Sequence, residues 1–183
     1  MTRIRLLPPD ISQKIAAGEV IERPVSAVKE LVENSIDAGS SEIRVDLEAG
    51  GKRLIRVQDN GAGMSREDAQ VCFERHATSK ISTEEDLERI ATLGFRGEAL
   101  ASIAAVSELV LKTSDGAGDR GVQVERSGGQ LVSIQEIAFP KGACVEVKNL
   151  FHNLPARRKF LRSDQSELNI IVRYLSGVAL AFP

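Results

Sequence analysis

Residues 23–39 constrain the fold most, because they favour one amphipathic helix with defined ends. Pro24 suits the first helical position, where a missing N–H costs nothing, and Gly39 suits the position after the last turn. Between these ends, apolar residues recur at helical spacing and predict a stripe that faces a core. The stripe consists of Val28, Leu31, Val32 and Ile36.

A second face of this helix is polar. Glu30 and Asn34 are four residues apart and share it, with Glu33 and Asp37 beside them. On most helices such a face is solvated surface, and that is the default interpretation. Three later loops favour a binding site instead, because their glycines let a backbone approach a ligand. They are residues 59–64 (DNGAGM), 94–100 (GFRGEAL) and 141–143 (KGA).

In this order, the polar face and the three loops resemble the GHKL ATPases, which include gyrase B subunits, heat-shock chaperones, histidine kinases and MutL proteins. Longer motifs resemble the N-terminal ATPase domain of the MutL mismatch repair family. These motifs are 15–24 (IAAGEVIERP), 75–80 (RHATSK), 93–102 (LGFRGEALAS) and 153–160 (NLPARRKF). The resemblance covers nearly the whole chain. It implies an ATP-binding, slowly ATP-hydrolysing domain; a binding module without turnover and another GHKL branch are the alternatives.

Helical and strand patterns are interleaved, but the strands mostly pair as hairpins. We therefore predict an α+β two-layer sandwich, with a mixed, mostly antiparallel sheet covered on one face by helices, rather than a doubly wound parallel sheet. Strands at 42–48 and 53–58 form a hairpin that ends at Asp59. Further helices are predicted at 10–17, ending at Gly18, at 65 to about 74, after Thr83, at 98–105 and at 165–180. Further strands are predicted at 107–113, 130–138 and 143–148, with breaks at 115–118 and 127–129.

The resemblance implies roles for three side chains. Glu30 takes the position of the base that polarises water for attack on a γ-phosphate, and a helix holds a carboxylate well for that task. Asn34 takes the position of the Mg²⁺ ligand, because Mg²⁺ prefers hard oxygen ligands. Asp59 takes the position that accepts a hydrogen bond from the adenine amine, although Asp-Asn-Gly is a simple turn in most proteins. Asn60 is either structural or close to the phosphates.

The loop at 94–97 precedes a helix, so free N–H groups converge on a site for anions. By itself this loop would be interpreted as a simple turn. The hydroxyl groups at 78 and 79 and the charge at 80 suit a lid over phosphates, and His76 suits a hydrogen-bonding role there rather than a metal site. Besides Asn34 and Asp59, the resemblance implies nucleotide contacts at Gly63, Met64, Thr78, Ser79, Lys80, Gly94, Phe95, Arg96, Gly97, Glu98, Ala99, Leu100 and Ala143.

One residue departs from the family pattern. The family usually has Gly-Thr where this chain has Gly142-Ala143. The hydroxyl that would help Asp59 and ordered water to hold adenine is therefore missing. This leaves the affinity for adenine and the base selectivity open.

Composition limits the partners. A net charge of −2 over 183 residues argues against strong attraction of the whole domain to nucleic acid. The basic cluster of Arg157, Arg158, Lys159 and Arg162 favours a solvated face over a phosphate or partner contact. Cys72 and Cys144 lack metal-ligand spacing and favour buried reduced thiols, which fits a bacterial cytosol or nucleoid. No signal peptide or membrane-spanning pattern is present.

The resemblance implies ATP and Mg²⁺ as ligands, a nucleotide-dependent homodimer with an ordered lid and N-terminal arm, and a MutS-like partner. DNA binding by residues 1–183 alone is expected to be weak. The family has a second domain that supplies a lysine to the γ-phosphate, and this chain ends at Pro183, where that domain would begin. We therefore expect one ATPase domain with weak hydrolysis.

Overall fold

The computed structural model describes residues 5–81, 83, 92–94, 96–118 and 120–183. The helices are α1 (Pro9–Val20), α2 (Pro24–Asp37), α3 (Arg66–Val71), α4 (Ala99–Ala105), α5 (Pro155–Lys159) and α6 (Asp164–Ala181). The strands are β1 (Ile43–Glu48), β2 (Leu54–Asp59), β3 (Glu108–Ser114), β4 (Gly121–Ser127), β5 (Gln130–Ile137) and β6 (Gly142–Lys148), and a 3₁₀ turn spans Ala49–Gly51. The helix predicted after Thr83 falls at 84–91, outside the described residues.

The described strands form one sheet in the order β1-β2-β6-β3-β4-β5. All of their described pairings are antiparallel. The last strand, β6, lies between the first hairpin and the β3–β5 meander and joins them into one surface. The predicted α+β architecture is confirmed, and the sheet is more uniformly antiparallel than the mixed sheet we expected.

One face of the sheet packs against the hydrophobic core. Alternate residues of β2 and β3 are buried on it, among them Ile55, Val57, Leu109 and Leu111. Helix α2 covers this face with a buried apolar stripe that includes Val28, Leu31 and Val32. The predicted stripe is therefore confirmed, and Ile36 completes it as a half-buried residue that packs on the core.

The ends of α2 also match the prediction. Pro24 is its first residue, and Gly39 follows its end with a φ of 71°. The Gly39 N–H donates to the Ile36 carbonyl at 2.9 Å. A left-handed glycine of this kind closes a helix by satisfying carbonyls of its last turn.

Two predicted helix ends are wrong. Helix α1 continues past Gly18 to Val20, because a glycine is tolerated inside a helix that packs well. A Cβ at Gly18 would lie 3.3 Å from Arg157 Nη2, so this glycine accommodates a neighbouring side chain. Helix α3 begins where the Ser65 cap predicts but ends at Val71, and turns follow it.

Helix α6 packs beside α2 and starts at a Ser163 cap that accepts a hydrogen bond from Ser166 N. Its packing is one-sided: Ile171 is fully buried, whereas its neighbour Val172 is 51% exposed. Within the described ranges, no helix is long and apolar enough to cross a membrane.

This one-sided packing gives a test of the register of α6. Ile171→Ala removes a buried side chain and leaves a cavity, so it should lower the free energy of unfolding by about 2–5 kcal/mol. Val172→Ala, the matched control one residue away, should change it by no more than about 0.5 kcal/mol. Urea unfolding monitored by circular dichroism measures both values. Equal costs for the two variants would contradict the described packing of α6.

Candidate functional site

The polar face of α2 meets the segment at 78–80. Lys80 Nζ donates to Asn34 Oδ1 at 2.8 Å and to Asp37 Oδ2 at 2.6 Å. The structure thus brings the predicted metal ligand and the predicted lid lysine together. Thr78 Oγ1 accepts a hydrogen bond from Lys80 N at 3.2 Å, which shapes the turn that presents the lysine, whereas Ser79 is exposed.

Asp37 is the centre of this contact, although its position in the sequence predicted no role for it. Besides Lys80, its carboxylate accepts hydrogen bonds from Leu93 N at 2.9 Å and Gly94 N at 3.2 Å. Its side chain is only 6% exposed. Burial on its own raises the pKa of Asp37, but the bonds from Lys80 and the two N–H groups outweigh it and lower the pKa below the ordinary value. Asp37 therefore remains ionised.

Glu30 lies one helical turn before Asn34 and is half-buried. No hydrogen bond or ion pair to another described residue engages its carboxylate, so it is available to a ligand or to water. Glu33, beside it, forms an ion pair with Lys29 at 3.9 Å. Burial, followed by the nearby carboxylates, raises the pKa of Glu33 despite the opposing charge of Lys29.

Asp59 lies at the end of β2, as predicted, and its carboxylate is held from two sides. Ser35 Oγ donates to Asp59 Oδ2 at 2.8 Å, and Gly61 N donates to Asp59 Oδ1 at 2.9 Å. No sequence pattern indicated Ser35, because only the packing of α2 on β2 brings the two residues together. Asn60 is structural: its Oδ1 accepts from Ser41 N and Glu42 N, both at 3.0 Å.

The sheet register places Asp59, Ala143 and Thr113 in one row across β2, β6 and β3. Thr113 is fully buried, and its hydroxyl donates to the Gly142 carbonyl and accepts from Met64 N, each at 2.9 Å. No sequence pattern indicated this hydroxyl either. It lies on the strand next to Ala143, and it fastens the 59–64 loop to the start of β6.

Gly63 is the tightest point of the 59–64 loop. Its φ is +67°, and a Cβ there would lie 1.9 Å from the Ser114 carbonyl oxygen. The adjacent Met64 is anchored through its N–H to Thr113. Gly63 thus approaches the backbone of β3 closely, and its predicted approach to a ligand stays a prediction.

The 75–80 and 94–100 motifs contact each other. His76 N donates to the Gly97 carbonyl at 3.1 Å, and His76 Nδ1 lies 3.7 Å from Glu98 Oε1. Glu98 precedes α4, which begins at Ala99, and Leu100 packs against the core. Arg96 is exposed. Phe95 lies outside the described residues, and its predicted nucleotide contact stays a prediction.

Among the described residues, the two cysteines and the basic cluster do not form a reactive or metal-binding site. Burial raises the pKa of the Cys72 thiol to about 12 and also raises that of Cys144, so both thiols are poor nucleophiles. The part of the chain that the structure describes contains no group of three or more potential metal-ligating His, Cys, Asp or Glu side chains. The basic residues Arg158, Lys159 and Arg162 are exposed, as on a solvated face.

Known proteins match this arrangement in sequence and in structure. A family profile described as "Histidine kinase-, DNA gyrase B-, and HSP90-like ATPase" matches residues 22–127. The DNA mismatch repair protein MutL of Solibacter usitatus is 54% identical over 183 residues, which is 100% of this chain and 28% of that protein. MutL of Syntrophotalea carbinolica is 56% identical over 181 residues, 99% of this chain and 29% of that protein. The chain thus spans less than a third of the length of these relatives.

Solved structures of related domains are also similar to this chain. The Aquifex aeolicus MutL ATPase domain complexed with ADP matches with a TM-score of 0.71 and 35% identity, covering 88% of this chain and 56% of that one. The N-terminal domain of a DNA repair protein matches with a TM-score of 0.75 and 31% identity, covering 90% of this chain and 47% of that one.

The close packing of Gly63 gives a second test. Both Gly63→Ala and Gly39→Ala place a side chain at positive φ, which costs about 1–3 kcal/mol. Only Gly63→Ala also forces a Cβ against a backbone oxygen, whereas nothing lies within 4 Å of a Cβ at Gly39. Gly63→Ala should therefore destabilise the protein clearly more than Gly39→Ala in urea titrations. Similar midpoints for the two variants would contradict the tight contact between the 59–64 loop and β3.

Proposed function

We propose that this chain, a MutL-type ATPase domain of the histidine kinase-, DNA gyrase B- and HSP90-like ATPase family, binds ATP with Mg²⁺. We further propose that it hydrolyses ATP slowly between α2 and the sheet. One observation carries this assignment of the site. Consecutive residues of α2 contact both predicted ends of a nucleotide site: Asn34 bonds to Lys80, and Ser35 bonds to Asp59. A nucleotide lying along α2 would reach both contacts.

Asp59 is the proposed base-reading residue. Its carboxylate has two fixed partners, Ser35 Oγ and Gly61 N, which orient it at the strand end. A carboxylate retains further lone pairs after accepting two hydrogen bonds, so it can also accept one from an exocyclic amine. Ala143, next to it in register, adds no hydroxyl, and the proposed base contact therefore depends on Asp59.

Asn34 is the proposed protein ligand for Mg²⁺, and its surroundings fit a cation. Its Oδ1 is a hard amide oxygen that already accepts a hydrogen bond from the Lys80 ammonium. Bound Mg²⁺ would offset the negative charge of the phosphate oxygens. Asn34 would hold one coordination position, and phosphates and water would supply the others.

Glu30 is the proposed general base. It is half-buried, fixed on a helix and unengaged by other described residues, so its carboxylate can accept a hydrogen bond from a water that attacks the γ-phosphate. The remaining nucleotide contacts that we propose are Gly63, Met64, Thr78, Ser79, Lys80, Ala143 and residues 94–100. Their roles rest on the resemblance and on the contacts between their loops.

We further propose that the whole protein acts in DNA mismatch repair, as a nucleotide-dependent homodimer with a MutS-like partner, in the bacterial cytosol or nucleoid. The matched relatives carry the name DNA mismatch repair protein MutL. The N-terminal segment supports dimerisation, because it exposes large apolar side chains that a second copy would cover. These side chains are Leu6, Leu7, Ile11 and Ile15. A further domain that supplies a lysine to the γ-phosphate belongs to the same proposal.

Glu30→Gln tests the catalytic proposal. It keeps the size of the side chain but removes the base, so single-turnover ATP hydrolysis should fall at least about a hundredfold, whereas equilibrium binding of ATP should change little. Glu33→Gln, on the same helix, is the matched control and should retain hydrolysis. If Glu33→Gln lost turnover and Glu30→Gln kept it, Glu33 rather than Glu30 would be the general base. A parent protein that binds ATP but shows no single turnover would instead be a binding module.

Asp59→Asn tests the base-reading proposal. Replacing one acceptor by an NH₂ donor breaks matched hydrogen bonds, which costs about 1–3 kcal/mol, or roughly ten- to a hundredfold in affinity for adenine nucleotides. Asp46→Asn is the control, since Asp46 pairs with Arg56 on the other face of the sheet. Calorimetric titration with ATP measures both variants. An unchanged affinity in Asp59→Asn would remove Asp59 from the base pocket.

A further inference from the structure

We propose that Asp37 is a positioning residue of the nucleotide site. It binds Lys80 when Lys80 leaves Asn34 and Mg²⁺ takes its place there, and it anchors the backbone at Leu93 and Gly94. This inference rests on the proposed function of Asn34. It goes beyond that function because it assigns a task to a carboxylate that touches neither the nucleotide nor the metal.

Asn34 and Asp37 share the ammonium group of Lys80. Lys80 Nζ lies 2.8 Å from Asn34 Oδ1 and 2.6 Å from Asp37 Oδ2, and the Lys80 side chain is 20% exposed. An ammonium has three donors, so it can bond to both oxygens at once. In this arrangement Lys80 occupies the side of Asn34 that faces Gly94, since a Cβ on Gly94 would lie 3.6 Å from Nζ and 4.0 Å from Oδ1.

Lys80 and a metal ion would compete for the amide oxygen of Asn34. A divalent cation and an ammonium repel each other at these distances, so they cannot share one amide oxygen without cost. Lys80 must therefore release Asn34 Oδ1 before a metal ion takes it. Asp37 gives Lys80 a second partner, and this partner is a carboxylate, which bonds an ammonium more strongly than a neutral amide does.

The carboxylate of Asp37 is itself held by two backbone N–H groups. Leu93 N donates to Oδ1 and Gly94 N to Oδ2, so the carboxylate is fixed in orientation before Lys80 moves. Asp37 also occupies the last turn of α2, where a negative charge is unfavourable to the helix dipole. A carboxylate there is explained by its contacts to Lys80 and to the loop, rather than by the stability of the helix.

Metal dependence of nucleotide binding separates positioning from a structural role. The affinity for ADP is measured by calorimetry with Mg²⁺ and with chelator in the wild type, Asp37→Asn, Lys80→Met and the double variant, after circular dichroism has verified folding. Asp37→Asn leaves Lys80 with Asn34 as its main partner, so the Mg²⁺-to-chelator affinity ratio should fall about tenfold, equivalent to about 1.4 kcal/mol. The double variant should recover the ratio of Lys80→Met, because the competitor is gone.

An unchanged ratio in Asp37→Asn, or a double variant as low as Asp37→Asn, would overturn the proposal. If Asp37→Asn does not fold, Lys80→Met decides the matter. Its complex with ADP should bind Mn²⁺ more tightly than the wild-type complex does, as measured by electron paramagnetic resonance, and equal binding would refute competition at Asn34. A wild type that binds ADP equally with Mg²⁺ and with chelator would instead refute the metal role proposed for Asn34.

Discussion

The packing of α2 on the sheet is the interaction on which the rest of the structure depends. Val28, Leu31 and Val32 are buried against the β-strands, and side chains of this kind each stabilise a fold by about 1.5–3 kcal/mol. Because successive helical residues are rotated by a fixed angle, burial of this stripe also fixes where Glu30 and Asn34 point. The buried apolar stripe thus orients Glu30 and Asn34, the residues that we propose act on the nucleotide.

Ser35 connects the two halves of the site because it lies between the apolar and polar faces of α2. Its hydroxyl donates to Asp59 Oδ2 at 2.8 Å, and its Oγ also lies 3.1 Å from the Leu31 carbonyl oxygen. The half-buried carboxylate and the buried hydroxyl satisfy each other, and an unpaired group of either kind would be costly there. A shift of α2 along the sheet would therefore disturb Asp59 as well as Asn34.

Local patterns in the sequence predicted the parts of the fold that local physics determines. Pro24 and Gly39 set the ends of α2, and strand alternation gave the hairpin that delivers Asp59. The errors have a different origin. Gly18 continues α1 because Arg157 packs beside it, and the roles of Ser35 and Thr113 depend on hydrogen-bond partners 24 to 49 residues away in the sequence. Such contacts require the assembled sheet, and no short motif contains them.

The hydroxyl that is missing at position 143 is not replaced by the neighbouring hydroxyl of Thr113. The register places Thr113 directly beside Ala143, but its hydroxyl already donates to the Gly142 carbonyl and accepts from Met64 N. Its single proton is committed, so it cannot donate to a ligand as a hydroxyl at 143 would. What Thr113 supplies is rigidity, since it ties both loops next to Asp59 to one strand. In this chain the proposed base-binding site beside Asp59 therefore depends more on fixed backbone and less on side-chain donors.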